Sequence, residues 1–280
     1  MMKQRTKNII DTIIAVVIAA IFLFPMYWII ISSLKSDTEI FAQVQTWFPR
    51  EIHWENYIDQ FQNKSNTANI FVQFKNSWII AIGSMVLSLV LSIPAGYGLS
   101  RFKIPGKKPI LMIFLTTQML PCSLVLTPLF LIYNKAGLLN TYLAPILATA
   151  TISIPFVIMV LRPIFMECPK EIEEAARIDG CGYAMTWWKV IFPIARPGIM
   201  TAAVLAFLNN WNEYYWASLV IVDREKLTVP ALLSTFTTSF RTNYNGLFSA
   251  MVIIILPPVI LYCVFSKFFV EALSGGAVKG

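Results

Sequence analysis

Six stretches of this chain run uncharged, or nearly so, for longer than a bilayer is thick. Residues 12–34, 76–100, 109–134, 136–161 and 242–266 contain no Asp, Glu, Lys, Arg or His, and 197–222 contains only Glu213. A helix needs about 20 apolar residues to cross the hydrocarbon core. Such runs predict an all-α integral membrane protein with six transmembrane helices. The composition agrees: 57% of residues are hydrophobic and 13% charged, where a soluble domain carries about 25% charged residues.

The first run follows Lys3, Arg5 and Lys7. It is too long for the apolar region of a signal peptide and lacks a small-residue cleavage site, so it is expected to be retained. Six crossings from a cytoplasmic N-terminus bring the C-terminus back to the cytoplasm. The inner segments then hold more than half of the 22 Lys and Arg, with the densest cluster in "RFKIPGKK", Arg101 to Lys108. This positive-inside bias accounts for the net charge of +7 without nucleic acid as a partner. Cys122, Cys168, Cys181 and Cys263 fall in the runs or in an inner segment. Their spacing matches neither a zinc site nor a redox pair, and buried or inert thiols are expected.

The segment at 35–75 carries Trp47, Phe48, Trp54 and Tyr57 among charges. It reads as an interfacial aromatic belt or as a docking surface for an outside partner. Pro25, Pro94, Pro121, Pro128, Pro155, Pro257 and Pro258 fall inside the runs. Each removes a backbone donor, and interrupted helices suit a path that opens and closes. "NNWNEYYW", 209–216, places amides and a carboxylate near mid-span. Helical spacing would put Asn209, Glu213 and Trp216 on one face, with Asn212 adjoining. Two readings stand: a route for a polar solute, or a hydrogen-bonded network that holds the bundle together.

Between the fourth and fifth runs lies a polar island, "ECPKEIEEAARIDG" followed by "YAMTWWKVIF". Pro169 suits a first helical turn, and Glu171, Glu173 and Glu174 lie where the helix dipole favours negative charge. Ile172, Ala175, Ala176 and Ile178 make a small apolar side. Gly180 stops the helix, with Gly182 giving slack, and a second short helix is expected to end at Pro193. Two alanines allow close approach, a carboxylate offers a charge pair, and Trp187 and Trp188 anchor the element. The pattern suits a plug that docks into another protein, or an amphipathic element resting on lipid.

The island resembles the EAA loop of permease subunits of type I ABC importers: EAA, three residues, Gly, nine residues, then Ile-x-Leu-Pro. Glu174, Ala175, Ala176, Gly180, Val190, Phe192 and Pro193 match it, with Val and Phe as mild replacements. "EAARIDG" is similar to the carbohydrate-uptake group, and "ENYIDQF", "WNEYYWA", "LTVPALLSTF" and "GGAVKG" resemble its MalG-like branch. Glu271 and Ala272 depart from that branch, which commonly has Arg-Gly there.

The resemblance implies the type I importer permease fold in a bacterial inner membrane. Residues 1–71 would hold the first helix and outer segment, 72–266 the permease core with its EAA loop at 167–196, and 267–280 a cytoplasmic tail. The implied partners are a MalF-like sister permease, two copies of an ATPase subunit, an extracytoplasmic solute-binding protein, the lipid bilayer and a sugar substrate. Glu174, Ala175, Ala176, Asp179, Gly180 and Pro193 would couple to the ATPase, and Gly276 and Lys279 of the tail would touch it. The second outer loop, near 223–245, would meet the binding protein. Asn209, Asn212, Glu213 and Trp216 would line the path.

ATP and Mg would sit on the partner subunits. This chain has no GxxxxGK[ST] loop, a single His, His53, and no HExxH or GxSxG. No cofactor and no catalytic residue are therefore expected in it. An importer of another polar solute, or an ion-coupled carrier using Glu213, are the alternatives; the carrier leaves the island unexplained.

Overall fold

A computed structural model describes residues 2–62, 69–237 and 242–277, with side chains described from residue 9 to residue 266. Those residues are helical with no strand: α1 (Met2–Ser33), α2 (Asp37–Ile40), α3 (Glu55–Gln62), α4 (Ile70–Arg101), α5 (Lys107–Met119), α6 (Cys122–Lys135), α7 (Leu143–Glu167), α8 (Lys170–Ile178), α9 (Tyr183–Thr186), α10 (Phe192–Trp211), α11 (Tyr215–Val220), α12 (Val229–Leu233) and α13 (Tyr244–Ala277). Five stretches are long and apolar enough to cross a membrane: Ile9–Ser33, Ile70–Arg101, Leu143–Glu167, Tyr183–Trp211 and Tyr244–Ser266.

The expected span over 109–134 makes a sixth crossing only as a bent pair, not as one uninterrupted helix. Its two halves, α5 and α6, meet at 96°. Pro121 disfavours helical backbone in the residue before it. Leu120 is accordingly extended (φ −74°, ψ 124°), and α5 ends there. Pro94, Pro155, Pro257 and Pro258 instead remain inside continuous helices.

The expected stop at Pro193 is also corrected. Tyr183–Trp211 runs on through a π-turn at Trp187–Ile191, with Pro193 in the first turn of α10. The Phe192 N–H reaches back to the Trp187 carbonyl. That wider turn shifts the hydrogen-bond register just where proline has no donor to give.

The chain divides into two compact units. The first holds 1–71 and 232–256. The segment that follows α1 is folded rather than loose. Lys35 is buried, donates to the Thr46 carbonyl at 2.5 Å and lies over the Trp28 ring. Glu39, also buried, accepts from the Thr46 hydroxyl at 2.5 Å and the Arg50 N–H at 3.1 Å. Burial pushes the Glu39 carboxyl up. The Thr46 and Arg50 hydrogen bonds, with the Lys35 and Arg50 charges, outweigh that and hold it below its ordinary value. Trp47 packs on Phe24 and Trp28, and Tyr27 donates to the Trp47 carbonyl. Gln60 reaches Ser249 at 3.1 Å, tying α3 to α13. In α1 residues 9–26 are all exposed, and burial is reached only at its end, at Ser32 and Ser33.

The second unit holds 72–231 and 257–280. α4 lies along α7 on a seam of small residues, where packing and hydroxyl bonds replace the hydrophobic drive that lipid removes. Ser84 meets Thr149 at 2.6 Å, and Ser92 donates to the Ile154 carbonyl at 3.2 Å. α7 and α10 touch at Gly198, where an added Cβ would lie 2.5 Å from Ile164. Apolar clusters fill the rest: Val157, Leu161, Phe165, Ile191 and Ala195 toward the island, and Phe207, Trp211, Phe74 and Trp78 further along.

Candidate coupling site

The island closes into a hairpin whose parts follow from local chemistry. Pro169 sits at the N-cap of α8 in extended geometry (φ −61°, ψ 133°). At the other end Gly180 is left-handed (φ +86°). The Cys181 N–H bonds the Ala176 carbonyl at 2.9 Å, and the Gly180 N–H bonds the Arg177 carbonyl at 3.0 Å. These two bonds make a Schellman stop, which needs the left-handed residue where glycine stands. The Arg177 guanidinium then lies 4.1 Å from the centroid of the Tyr183 ring, bracing the turn.

Two adjacent carboxylates part ways on α8. Glu174 points out and is exposed, as are Ala175, Asp179 and Pro193. Glu173 points in and meets Arg101 at the end of α4, Nε to Oε1 2.6 Å, with both side chains under a tenth exposed. The Tyr97 hydroxyl donates to Glu173 Oε2 at 3.3 Å, and Arg101 donates to the Cys168 carbonyl at 2.6 Å. Trp187 covers this cluster, with its ring 4.6 Å from Tyr97 and 5.5 Å from Phe165.

The expected apolar side of α8 is therefore corrected. Of its four residues Ala176 alone is buried, while Ile178 is 87% exposed. The inward face is set by Glu173 and Ala176, three residues apart. Ile178, Tyr183, Met185 and Trp188 are exposed apolar side chains of the same hairpin that exposes Glu174 and Ala175.

The 209–216 stretch does not form one face. α10 stops at Trp211, Asn212 caps it, and α11 begins at Tyr215. The Glu213 carboxylate takes the N–H groups of Trp216 and Ala217 at 2.5 and 3.2 Å, starting the new turn itself. Trp216 turns into an apolar cluster with Ile80, Tyr133 and Ala144. Asn209 and Asn212 stay exposed, with Asn209 Nδ2 3.5 Å from Ser153. Gly276 lies in the last turn of α13, and Lys279 lies outside the described residues. All four thiols are free; Cys168 is buried and Cys263 exposed.

Sequence reasoning missed the pairing of Glu173 with Arg101, and it missed the far end of α4. There Gln73 and Asn76, both buried, donate to the carbonyls of Arg224, Glu225 and Leu227 at 2.7–3.2 Å. Ser77 accepts from the Val229 N–H at 2.8 Å. The available signal was polar residues opening a long apolar run and one arginine closing it.

Long apolar helices with a polar hairpin inserted between two of them fit a transport permease. Residues 88–275 match the family model described as "Binding-protein-dependent transport system inner membrane component", and the chain belongs to that family of multi-pass inner-membrane proteins. It is 34% identical to the probable ABC transporter permease protein YurM of Bacillus subtilis (strain 168), over 92% of this chain and 84% of that one. It is 30% identical to the diacetylchitobiose uptake system permease protein DasC of Streptomyces coelicolor, over 95% of each. Its fold is that of a chain in the crystal structure of a bacterial ABC transporter involved in the import of the acidic polysaccharide alginate, with a TM-score of 0.77, 24% identity, and 95% and 98% of the two chains covered.

Proposed function

We propose that this chain forms half of the translocation path of an ABC importer for a sugar or oligosaccharide, with a sister permease forming the other half. Both termini and the α8–α9 hairpin lie in the cytoplasm. Two copies of a separate ATPase subunit grip the hairpin, and an extracytoplasmic binding protein delivers the solute. ATP and Mg are bound by the ATPase, and this chain performs no chemistry. Membership of a binding-protein-dependent transport family supports the reading. The sugar assignment is supported by "EAARIDG" and by the diacetylchitobiose-uptake relative.

The observation that carries the mechanism is the two-sided hairpin. Its inner side is fixed to the bundle by a buried ion pair and packed aromatics, and its outer side exposes Glu174, Ala175 and several apolar side chains. A lever needs one end fixed and one end free to be gripped. Glu174 supplies a charge for a basic partner group, and Ala175 permits close approach. Closure of the ATPase dimer then displaces α8 and tips the bundle between inward and outward openings. Exposed Asn209 and Asn212 offer amides to a hydroxylated solute. Glu213 shapes the path by starting α11.

Reconstitution of the whole assembly in proteoliposomes tests this. Solute uptake is expected only with ATP, the ATPase subunits and the binding protein together. Uptake by this chain alone on an ion gradient would overturn the importer. ATP-driven uptake of a polyamine or phosphate ester in place of sugars would overturn the substrate class.

A further inference from the structure

α4 joins the coupling hairpin to the 224–229 loop of the same unit. Its 32 residues form one helix, about 48 Å long at 1.5 Å per residue. At its C-terminal end Arg101 is paired with Glu173 of α8 at 2.6 Å and holds the Cys168 carbonyl at the end of α7. At its N-terminal end Gln73, Asn76 and Ser77 hold the backbone of the loop from Arg224 to Val229. Asn76 also accepts from Tyr142 at 2.8 Å, so its amide is fixed on both sides.

Both grips are built from buried groups. Gln73, Asn76 and Ser77 are nearly inaccessible, and so are the side chains of Arg101 and Glu173. Between them the helix runs unbroken through Pro94, and at Gly96 it presses on Leu161, where an added Cβ would lie 3.2 Å from Leu161 Cβ. Removing one partner of a buried pair leaves an uncompensated polar group, so neither grip is readily let go.

We propose that α4 is the transmission rod of this permease, with Arg101 and Glu173 as its inner positioning pair and Asn76, Gln73 and Ser77 as its outer clasp on the 224–229 loop. The inference rests on the reading of α8 as the ATPase-coupling helix. A displacement imposed on α8 is carried through Glu173 to Arg101, along α4, and into the loop backbone. By reciprocity a force applied at the loop reaches α8. Glu173 thus works inward on its own chain while Glu174 works outward on the partner.

The test uses the complete transporter, with amide hydrogen exchange read in the 224–229 loop with and without a non-hydrolysable ATP analogue. In the native assembly the analogue is expected to change exchange there by about tenfold, the scale of a coupling of ordinary strength. Glu173→Gln and, at the other end, Asn76→Ala should each abolish that nucleotide response. The double variant should be no worse than either single one, because both cut one line. Arg101→Lys, which keeps the charge, should restore part of the response lost in Arg101→Ala. A merely structural role for these residues would raise exchange equally with and without nucleotide.

A full response in Glu173→Gln or Asn76→Ala, or additive losses, would overturn the rod. Ala175→Cys serves as the separate check on the docking reading. If that cysteine fails to cross-link to the ATPase, the docking reading falls. If it cross-links while Glu173→Gln responds normally, the rod alone falls.

Discussion

Gly180→Ala isolates the backbone cost of the hairpin stop. The glycine sits at φ +86°, and a Cβ added to it meets nothing within 4 Å. Side-chain clash is therefore absent, and the whole effect is conformational. Holding an L-residue in the left-handed region costs about 1–2 kcal/mol, which lowers the closed population of the stop by a factor of about 5 to 30. The Cys181 amide, bonded to the Ala176 carbonyl at 2.9 Å, reports it directly by hydrogen exchange. Gly180→Asn should cost less, because asparagine tolerates this region. Gly180→Pro should cost more, because it also removes the donor to the Arg177 carbonyl. Uptake per ATP should fall in the same order: Asn, Ala, Pro. Native exchange in the alanine variant, or an asparagine variant worse than alanine, would refute the argument from backbone geometry.

At Gly198 the opposite holds, since a Cβ there falls 2.5 Å from Ile164. Gly198→Ala should destabilise the detergent-solubilised protein by about 1–3 kcal/mol, with Ile164→Ala recovering part of the loss in a double-mutant thermal-unfolding cycle. Glu213→Ala should cost about 1 kcal/mol by removing the carboxylate that caps α11, read as faster exchange at Trp216 and Ala217. Glu39 has its carboxyl held below the ordinary 4.5, so its stabilising effect is complete above that value and is lost as pH falls through the depressed one. Proteolysis of the 35–62 segment should therefore rise on acidification below pH 4.5, and Glu39→Gln should flatten that dependence.

Much of this architecture is visible from charge spacing alone. Where a run is uncharged over its whole length and packs along its whole length, as in α4 and α7, the sequence reads straight into the helix. The Schellman stop at Gly180 was legible too, because a left-handed residue after a helix is a local requirement. What failed to read were the choices made by distant partners. Seven prolines looked equivalent in the runs, yet only at Pro121 does the helix part into two, because whether a freed carbonyl is accommodated depends on the neighbouring helix. Glu173 and Glu174 are interchangeable on paper. Arg101, far away in sequence, decides which one turns in. Likewise the spacing of Asn209, Glu213 and Trp216 implied a common face only while the helix was assumed continuous, and the Glu213 carboxylate itself interrupts it.

The opening helix has a different fate in store from the rest. Residues 9–26 are all exposed, so close packing within the chain sets few of its side chains before Phe24 and Trp28 meet Trp47. Mutation can exchange one oily residue there for another at little cost, and over generations that segment should wander in identity while keeping its greasiness. The family pattern, which begins only at residue 88, leaves it that liberty.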